Sequence, residues 1–327
     1  MSWVACAPSN IALIKYMGKL DEKQNIPLNA SLSFTSHNFI SKAELEVADD
    51  TAGDCWRSFD DGSVFAGTNL SEAEQSKYLR HLGFIKSRLR FSGNFILKSG
   101  NNFPKGAGIA SSASSFAALT KAAVQAICEL KGEAELSVEQ MAALSRVGSG
   151  SSCRSFFSPW ALWNKEEVKS LSFGEFDHLF HQIIIVSDKA KEVSSSQAHR
   201  LVKTSLLHKD RADRVEIRLK QLIKALESGD WRAVFKICWA EFADMHALFA
   251  TCDEPFSYIS SDSVKVLSAI RSFWSTYGDG PVATMDAGAN VHLLWRQDQS
   301  EQQRQFYNLP ELADFKLIND GNYRSKR

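Results

Sequence analysis

Pro104-Lys105-Gly106-Ala107-Gly108-Ile109-Ala110-Ser111-Ser112-Ala113-Ser114-Ser115 is the stretch on which the reading of this chain turns. A short apolar run at 94–98 precedes it and predicts a strand. An alanine-rich run at 116–130, closed by Gly132, follows it and predicts a helix. Two glycines let the backbone turn closely, and the hydroxyls after them suit a helix start whose first amides lack internal partners. Free N–H groups and the positive end of a helix dipole together favour an anion. No Gly-Lys-Ser/Thr follows, so this is not a Walker A loop. On these residues alone, an anion cradle and a plain helix-capping turn stay equally open.

Working outward, 327 residues predict two lobes or one large α/β unit. The hydrophobic fraction of 44% and charged fraction of 23% suit a soluble globular enzyme. Lys+Arg and Asp+Glu both total 38, so no global charge draws the chain to nucleic acid or to an anionic membrane. No apolar run is long enough for a membrane span. The first residues lack a basic segment followed by an apolar core, so a cytoplasmic rather than secreted location is expected. The six cysteines (Cys6, Cys55, Cys128, Cys153, Cys238, Cys252) are scattered without zinc-like spacing and predict reduced thiols. Cys153 lies in a polar run and is a candidate positioning residue.

Toward the N-terminus, 2–7 predicts a strand broken by Pro8. Lys15, Tyr16 and Lys19 then gather around Gly18, either as a solvated basic turn or as cations converging on a phosphate-bearing ligand. Residues 32–34 and 39–47 predict strands. Ser71 to Glu74 and Ser137 to Gln140 are capping-box patterns, opening helices that run to about residue 91 and over 141–147. Gly148-Ser149-Gly150-Ser151-Ser152-Cys153-Arg154-Ser155 is hydroxyl-dense and runs straight into aromatic residues, which predicts a buried polar loop. An arginine there needs an anionic partner. A strand is predicted at 181–187, mostly helix over 194–270, and strands at 281–285 and 291–295 around Asp286-Ala287-Gly288-Ala289-Asn290. Residues 322–327 read as a frayed end. The order of elements predicts an α+β fold of two lobes with a cleft between them.

Four blocks, in order, resemble the diphosphomevalonate decarboxylases of the GHMP kinase superfamily. Asn10 to Lys19, continued by Pro27 to Ser33, looks like N-I-A-x-x-K-Y-W-G-K with Met17 at the tryptophan. Residues 103–113 look like F-P-x-x-A-G-L-A-S-S-A, 146–154 like R-x-G-S-G-S-A-C-R-S, and Thr284 to Asn290 like T-x-D-A-G-P-N. Fainter echoes at 187–195, at Met245-His246-Ala247 and at Ser257-Tyr258 extend the likeness over nearly the whole chain. The glycine–serine loop is shared by other small-molecule kinases; the serine–arginine and Asp-Ala-Gly blocks are specific.

The resemblance implies a GHMP kinase fold, with mixed sheets and packed helices flanking a deep cleft. It implies an ATP-binding domain over 1–185 and a C-terminal GHMP domain over 186–327. The implied reaction is the ATP- and Mg²⁺-dependent decarboxylation of (R)-5-diphosphomevalonate to isopentenyl diphosphate, by a cytoplasmic homodimer in isoprenoid biosynthesis. Asp286, Lys15, Arg154 and Ser112 would be catalytic. Asn10, Tyr16, Lys19, Ser149, Ser151 and Arg154 would bind substrate. Gly106, Ala107, Gly108, Ile109, Ala110, Ser111, Ser112, Ser194 and Ser195 would bind ATP, and no protein ligand to the metal is assigned. Glu74 and Ser196 stand where the family often has arginine, which leaves the substrate's phosphorylation state open; Lys77, Arg80 and Lys189 are the cations that could compensate. A phosphomevalonate decarboxylase, a mevalonate-type small-molecule kinase of the same superfamily, and a catalytically silent binding protein are the competing readings.

Overall fold

A computed structural model describes residues 1–49, 53–66, 69–104, 111–189 and 191–319. The organising element is the 17-residue strand Ser31–Val47, which carries partners on both sides and in both halves. Along one edge it pairs antiparallel with Ser2–Ile14. Its later half pairs with Phe95–Asn101, and its first half with Trp160–Asn164. Cys55–Arg57 and Glu167–Leu171 complete a six-stranded sheet. What the sequence presents as two strands, 32–34 and 39–47, is therefore one.

Pro8 does not break the first strand. The register shifts between Pro8 and Asn10, and this irregularity accommodates a residue that cannot donate to the ladder. The strand thus runs on to Ile14 and delivers Lys15 directly from its end.

The second sheet is antiparallel, in the order Val282–Met285, Val291–Trp295, Phe180–Ile185, Lys316–Asn319. Phe180–Ile185 thus pairs only with later strands, although it precedes residue 186. The helices Arg211–Glu227, Trp231–Ala250 and Ser261–Tyr277 pack against this sheet. Leu219, Leu222 and Leu226 are buried, whereas Ile223 of the same predicted stripe is only partly buried against that core.

A second core forms where the helices Glu72–Arg88 and Ser111–Lys131 cover the six-stranded sheet. The halves are nonetheless joined. Ile11, Leu13, Leu32 and Phe34 share one buried cluster with Leu222, Phe242, Met285 and Trp295. Lys15 follows directly on Ile14 of that shared core, and Asp286 directly on Met285. Among the described residues, no helix is long and apolar enough to cross a membrane.

Candidate active site

Three chain segments far apart in sequence meet at a cleft of ≈ 620 Å³. Lys15, Tyr16 and Lys19 follow the first strand. Ser149, Ser151 and Arg154 come from the turn and short 3-10 helix Gly150–Phe156. Asp286 comes from the turn between Val282–Met285 and Val291–Trp295. Ser111 and Ser112 line the cleft from the start of the long helix Ser111–Lys131, and Ser194 and Ser195 from the start of Ser195–Leu201. Gly106, Ala107, Gly108, Ile109 and Ala110 lie outside the described residues.

Lys15 and Asp286 form an ion pair, with Nζ to Oδ1 at 2.7 Å, although 271 positions separate them. Burial pulls the Asp286 carboxyl up, but Lys15 above all, helped by His292 and Arg154, outweighs it and holds the group at about 2. Burial pushes the Lys15 ammonium down against the pull of Asp286. The turn is fixed by Gly288 N–H donating to the Asp286 carbonyl at 2.8 Å, and His246 Nε2 lies 3.2 Å from the same carbonyl. Asn290 anchors its far side, accepting from the backbone N–H groups of Val186 and Ser187.

Arg154 is 4% exposed and held from behind. Its Nε donates to Asn10 Oδ1 at 3.0 Å and one terminal nitrogen to Ser31 Oγ at 2.6 Å. Its guanidinium lies 5.7 Å from the Trp163 ring centroid. The fork still has N–H groups for a ligand in the cleft. Asn10 itself does not line the cleft and bonds to Arg154 and Ser155. Cys153 is inert, its thiol pushed up to about 12 by burial, and its Sγ donates to the Gly150 carbonyl at 3.2 Å. Ser149 and Ser112 bring their hydroxyls within 3.5 Å, so the serine–arginine turn touches the start of the long helix.

Several expected residues do other work as well. Ser114 and Ser115 do not cap the long helix; they bond to Ser41 and Asn101 and pin it to the sheet. Ser194 is the N-cap of its own helix and exchanges a capping box with Gln197. Glu74 completes the capping box with Ser71. Among the three possible compensating cations, Lys77 lines the cleft, Arg80 bonds to Ser76 at the surface, and Lys189 is exposed away from the lining. Met17 packs with Ala198, Met245, Leu248 and Ala287, a matter of fit rather than chemistry.

Sequence reasoning missed three residues here. Glu241, fully buried, accepts from the Lys15 backbone N–H at 3.1 Å and from Arg211, which in turn bonds Asp244. Its only signal is an acid in an apolar helical run, which burial obliges to be paired. Lys191 lines the cleft, bonds the Ala287 carbonyl, and stands 5.8 Å from the Tyr258 ring centroid. His199 lines it beside Tyr16, and no sequence pattern marks it.

Residues 7–174 match a family model described as the diphosphomevalonate decarboxylase-like N-terminal domain. Residues 182–310 match the mevalonate 5-diphosphate decarboxylase C-terminal domain. The chain belongs to the diphosphomevalonate decarboxylase family. A diphosphomevalonate decarboxylase from Danio rerio is 30% identical over 322 residues, covering 91% of this chain and 77% of that one. The solved mevalonate diphosphate decarboxylase from Legionella pneumophila is 48% identical, with a TM-score of 0.91 over 97% of this chain and 100% of that one. MDDEF, solved in complex with MVAPP, AMPPCP and magnesium, is 30% identical, with a TM-score of 0.85 over 98% and 96%. The diphosphomevalonate decarboxylase fold, of the GHMP kinase type, thus extends over almost the whole chain.

Proposed function

We propose that this protein catalyses the ATP-dependent decarboxylation of 5-diphosphomevalonate. ATP phosphorylates the tertiary 3-hydroxyl. The C3–O bond of that phosphate ester then breaks, the C1–C2 bonding pair becomes the C2=C3 double bond, and carbon dioxide, phosphate and isopentenyl diphosphate result. The observation that carries this reading is the Lys15–Asp286 pair, sharing one cleft with Arg154 and the serines of both loops.

Phosphoryl transfer needs positioning and charge neutralisation more than covalent help. Asp286 orients the 3-hydroxyl and takes its proton, and Lys15 stabilises the charge that develops. Arg154 grips the carboxylate, with Ser149 and Ser151 setting its angle. Asn10 supports this from behind as the partner of Arg154 Nε. Tyr16 and Lys19 serve the diphosphate. Ser111, Ser112 and residues 106–110 serve the ATP phosphates, together with Ser194 and Ser195. Magnesium enters with the nucleotide. The ion would be carried by the phosphate oxygens, with Ser112 as a candidate contact.

The strand pairing favours dividing the chain into lobes just before Phe180, since Phe180–Ile185 sits inside the second sheet. Free cysteines throughout the described residues support a reducing, cytoplasmic setting, and a homodimer in isoprenoid and lipid biosynthesis is the assembly and role this reading carries with it.

The test is to incubate the protein with ATP-Mg²⁺ and, separately, the 5-diphospho, 5-phospho and free acids. Carbon dioxide, ADP and phosphate from the diphospho acid are expected in equal amounts. ADP without carbon dioxide would make it a kinase, and preference for the 5-phospho acid would trace to Glu74 and Ser196.

A further inference from the structure

His199 stands at the cleft wall in a state that its neighbours define. The Gly18 backbone N–H donates to its Nδ1 at 3.0 Å. An amide can only donate, so Nδ1 carries a lone pair. Burial, with Lys19 nearby, holds the imidazole at about 3, so the ring is neutral and its proton sits on Nε2. No partner for Nε2 is found among the described residues, while the ring lines the cleft.

Its neighbours want the same kind of ligand. The Tyr16 ring packs on His199 with centroids 4.3 Å apart, and the buried Tyr16 hydroxyl has no hydrogen-bond partner among the described residues. Lys19 uses one of its three donors on Asn25 Oδ1 at 2.6 Å. A phenol, an ammonium and a neutral imidazole N–H thus offer donors at one wall. The Tyr16 hydroxyl is a buried donor left without an acceptor, which is costly, and Lys19 and His199 line the same cleft, so an acceptor-rich ligand there would serve all three.

We propose that His199 is a substrate-binding residue, donating an uncharged Nε2–H to a phosphoryl oxygen at the diphosphate end of the substrate beside Tyr16 and Lys19. This rests on the decarboxylase reading of the cleft. A neutral donor adds a hydrogen bond without repelling Lys19, at the end where Glu74 and Ser196 contribute no positive charge.

Two substitutions separate this role from mere support of the Gly18 turn. His199→Asn keeps an acceptor for Gly18 N–H and removes the Nε2 donor. His199→Gln keeps a donor at about the reach of Nε2 and gives up the ring acceptor. Inorganic diphosphate is titrated calorimetrically into each protein, and KM values are measured for 5-diphosphomevalonate and ATP. His199→Asn should weaken diphosphate binding and raise the substrate KM roughly tenfold, as loss of a hydrogen bond to a charged group does, with the KM for ATP within about twofold. His199→Gln should recover most of the diphosphate affinity. The proposal is overturned if His199→Asn binds diphosphate within about twofold of wild type, if His199→Gln is as weak as His199→Asn, or if the wild type does not bind diphosphate at millimolar concentration. The titration does not depend on turnover. A wild type that shows the expected binding pattern yet releases no carbon dioxide would refute the decarboxylase reading and leave the anion subsite standing.

Discussion

In the proposed reaction Asp286 would accept a proton from a tertiary alcohol while held at about 2 beside an ammonium. Such a carboxylate is a poor base for a free alcohol. It suffices when transfer to phosphorus runs ahead of proton loss, as in a loose transition state, because the proton then leaves late and mainly needs direction. Asp286→Asn is accordingly expected to lower kcat by ~10²–10⁴-fold while nucleotide affinity stays within about twofold. Retention of more than about a tenth of the rate in a carbon dioxide release assay would rule out the proton-accepting role. The same substitution leaves the Lys15 ammonium buried without its counter-charge, so a loss of several kcal/mol of stability, of the order seen when one partner of a buried pair is removed, should accompany it in urea melts. Arg154 differs, since both Asn10 and Ser31 fix the plane of its fork. A lysine carries the charge without that plane. Arg154→Lys should cost roughly 10²-fold in turnover, and single-turnover mixing should show ADP forming ahead of carbon dioxide. Equal slowing of both products would place Arg154 in phosphoryl transfer instead.

The turn carrying Arg154 depends on two missing Cβ atoms. One built on Gly148 would lie 2.3 Å from Phe116 Cδ1 and 2.7 Å from His81 Nδ1. One on Gly150 would lie 2.8 Å from the Tyr16 hydroxyl oxygen. Gly148→Ala should therefore destabilise by about 1–3 kcal/mol, read as a lower urea midpoint. Gly150→Ala should instead displace Tyr16 and raise the KM for substrate, with a smaller change in midpoint. If both variants lower only the midpoint, the turn supports the fold and Tyr16 does not meet substrate. These elements also show what a sequence can disclose. Capping boxes at Ser71/Glu74 and Ser137/Gln140 were legible because the whole interaction lies within four residues. The capping box at Ser194/Gln197 is just as local, and the same serine also lines the cleft. The sequence pattern divides the long strand Ser31–Val47 in two and ends the first strand at Pro8, whereas pairing to distant strands carries both through those points. Lys15 and Arg154 stand out in the sequence as cations in search of an anion, but only resemblance to a family links them to Asp286. Glu241 and His199 escaped even that, since the one meets Lys15 226 positions away and the other meets Gly18 181 positions away.

At the scale of the whole molecule, a neutral formal charge hides an uneven response to acid. Four of the five buried histidines are held below their ordinary pKa. Burial holds His81 and His246 at about 4 and His199 at about 3, and pushes His181 well below its ordinary 6.5. In the unfolded chain each takes a proton as pH falls through about 6.5, while the folded protein refuses it until near 4 or lower. The unfolded state thus binds more protons in that window, so stability is full above about 6.5 and is lost as pH drops toward 4. Each proton is worth about 1.4 kcal/mol per pH unit once the unfolded site is saturated. Asp286 and Asp244 act in a different window. Both are held at about 2 against an ordinary 3.8, by Lys15 in one case and by Arg214 and Arg218 in the other, in each case against burial, so their contribution persists above pH 4 and fades only below it. Urea midpoints should accordingly be flat between pH 7 and 8 and fall steadily from 6.5 to 5, where the carboxylates still contribute fully. Replacing His81 with Gln, whose amide can still reach Thr120, should reduce that slope by about one proton. Equal midpoints at pH 5 and pH 7 would mean that these imidazoles find protons in the folded state, through water reaching the core or through repacking around His181 and His292, which lie 3.0 Å apart.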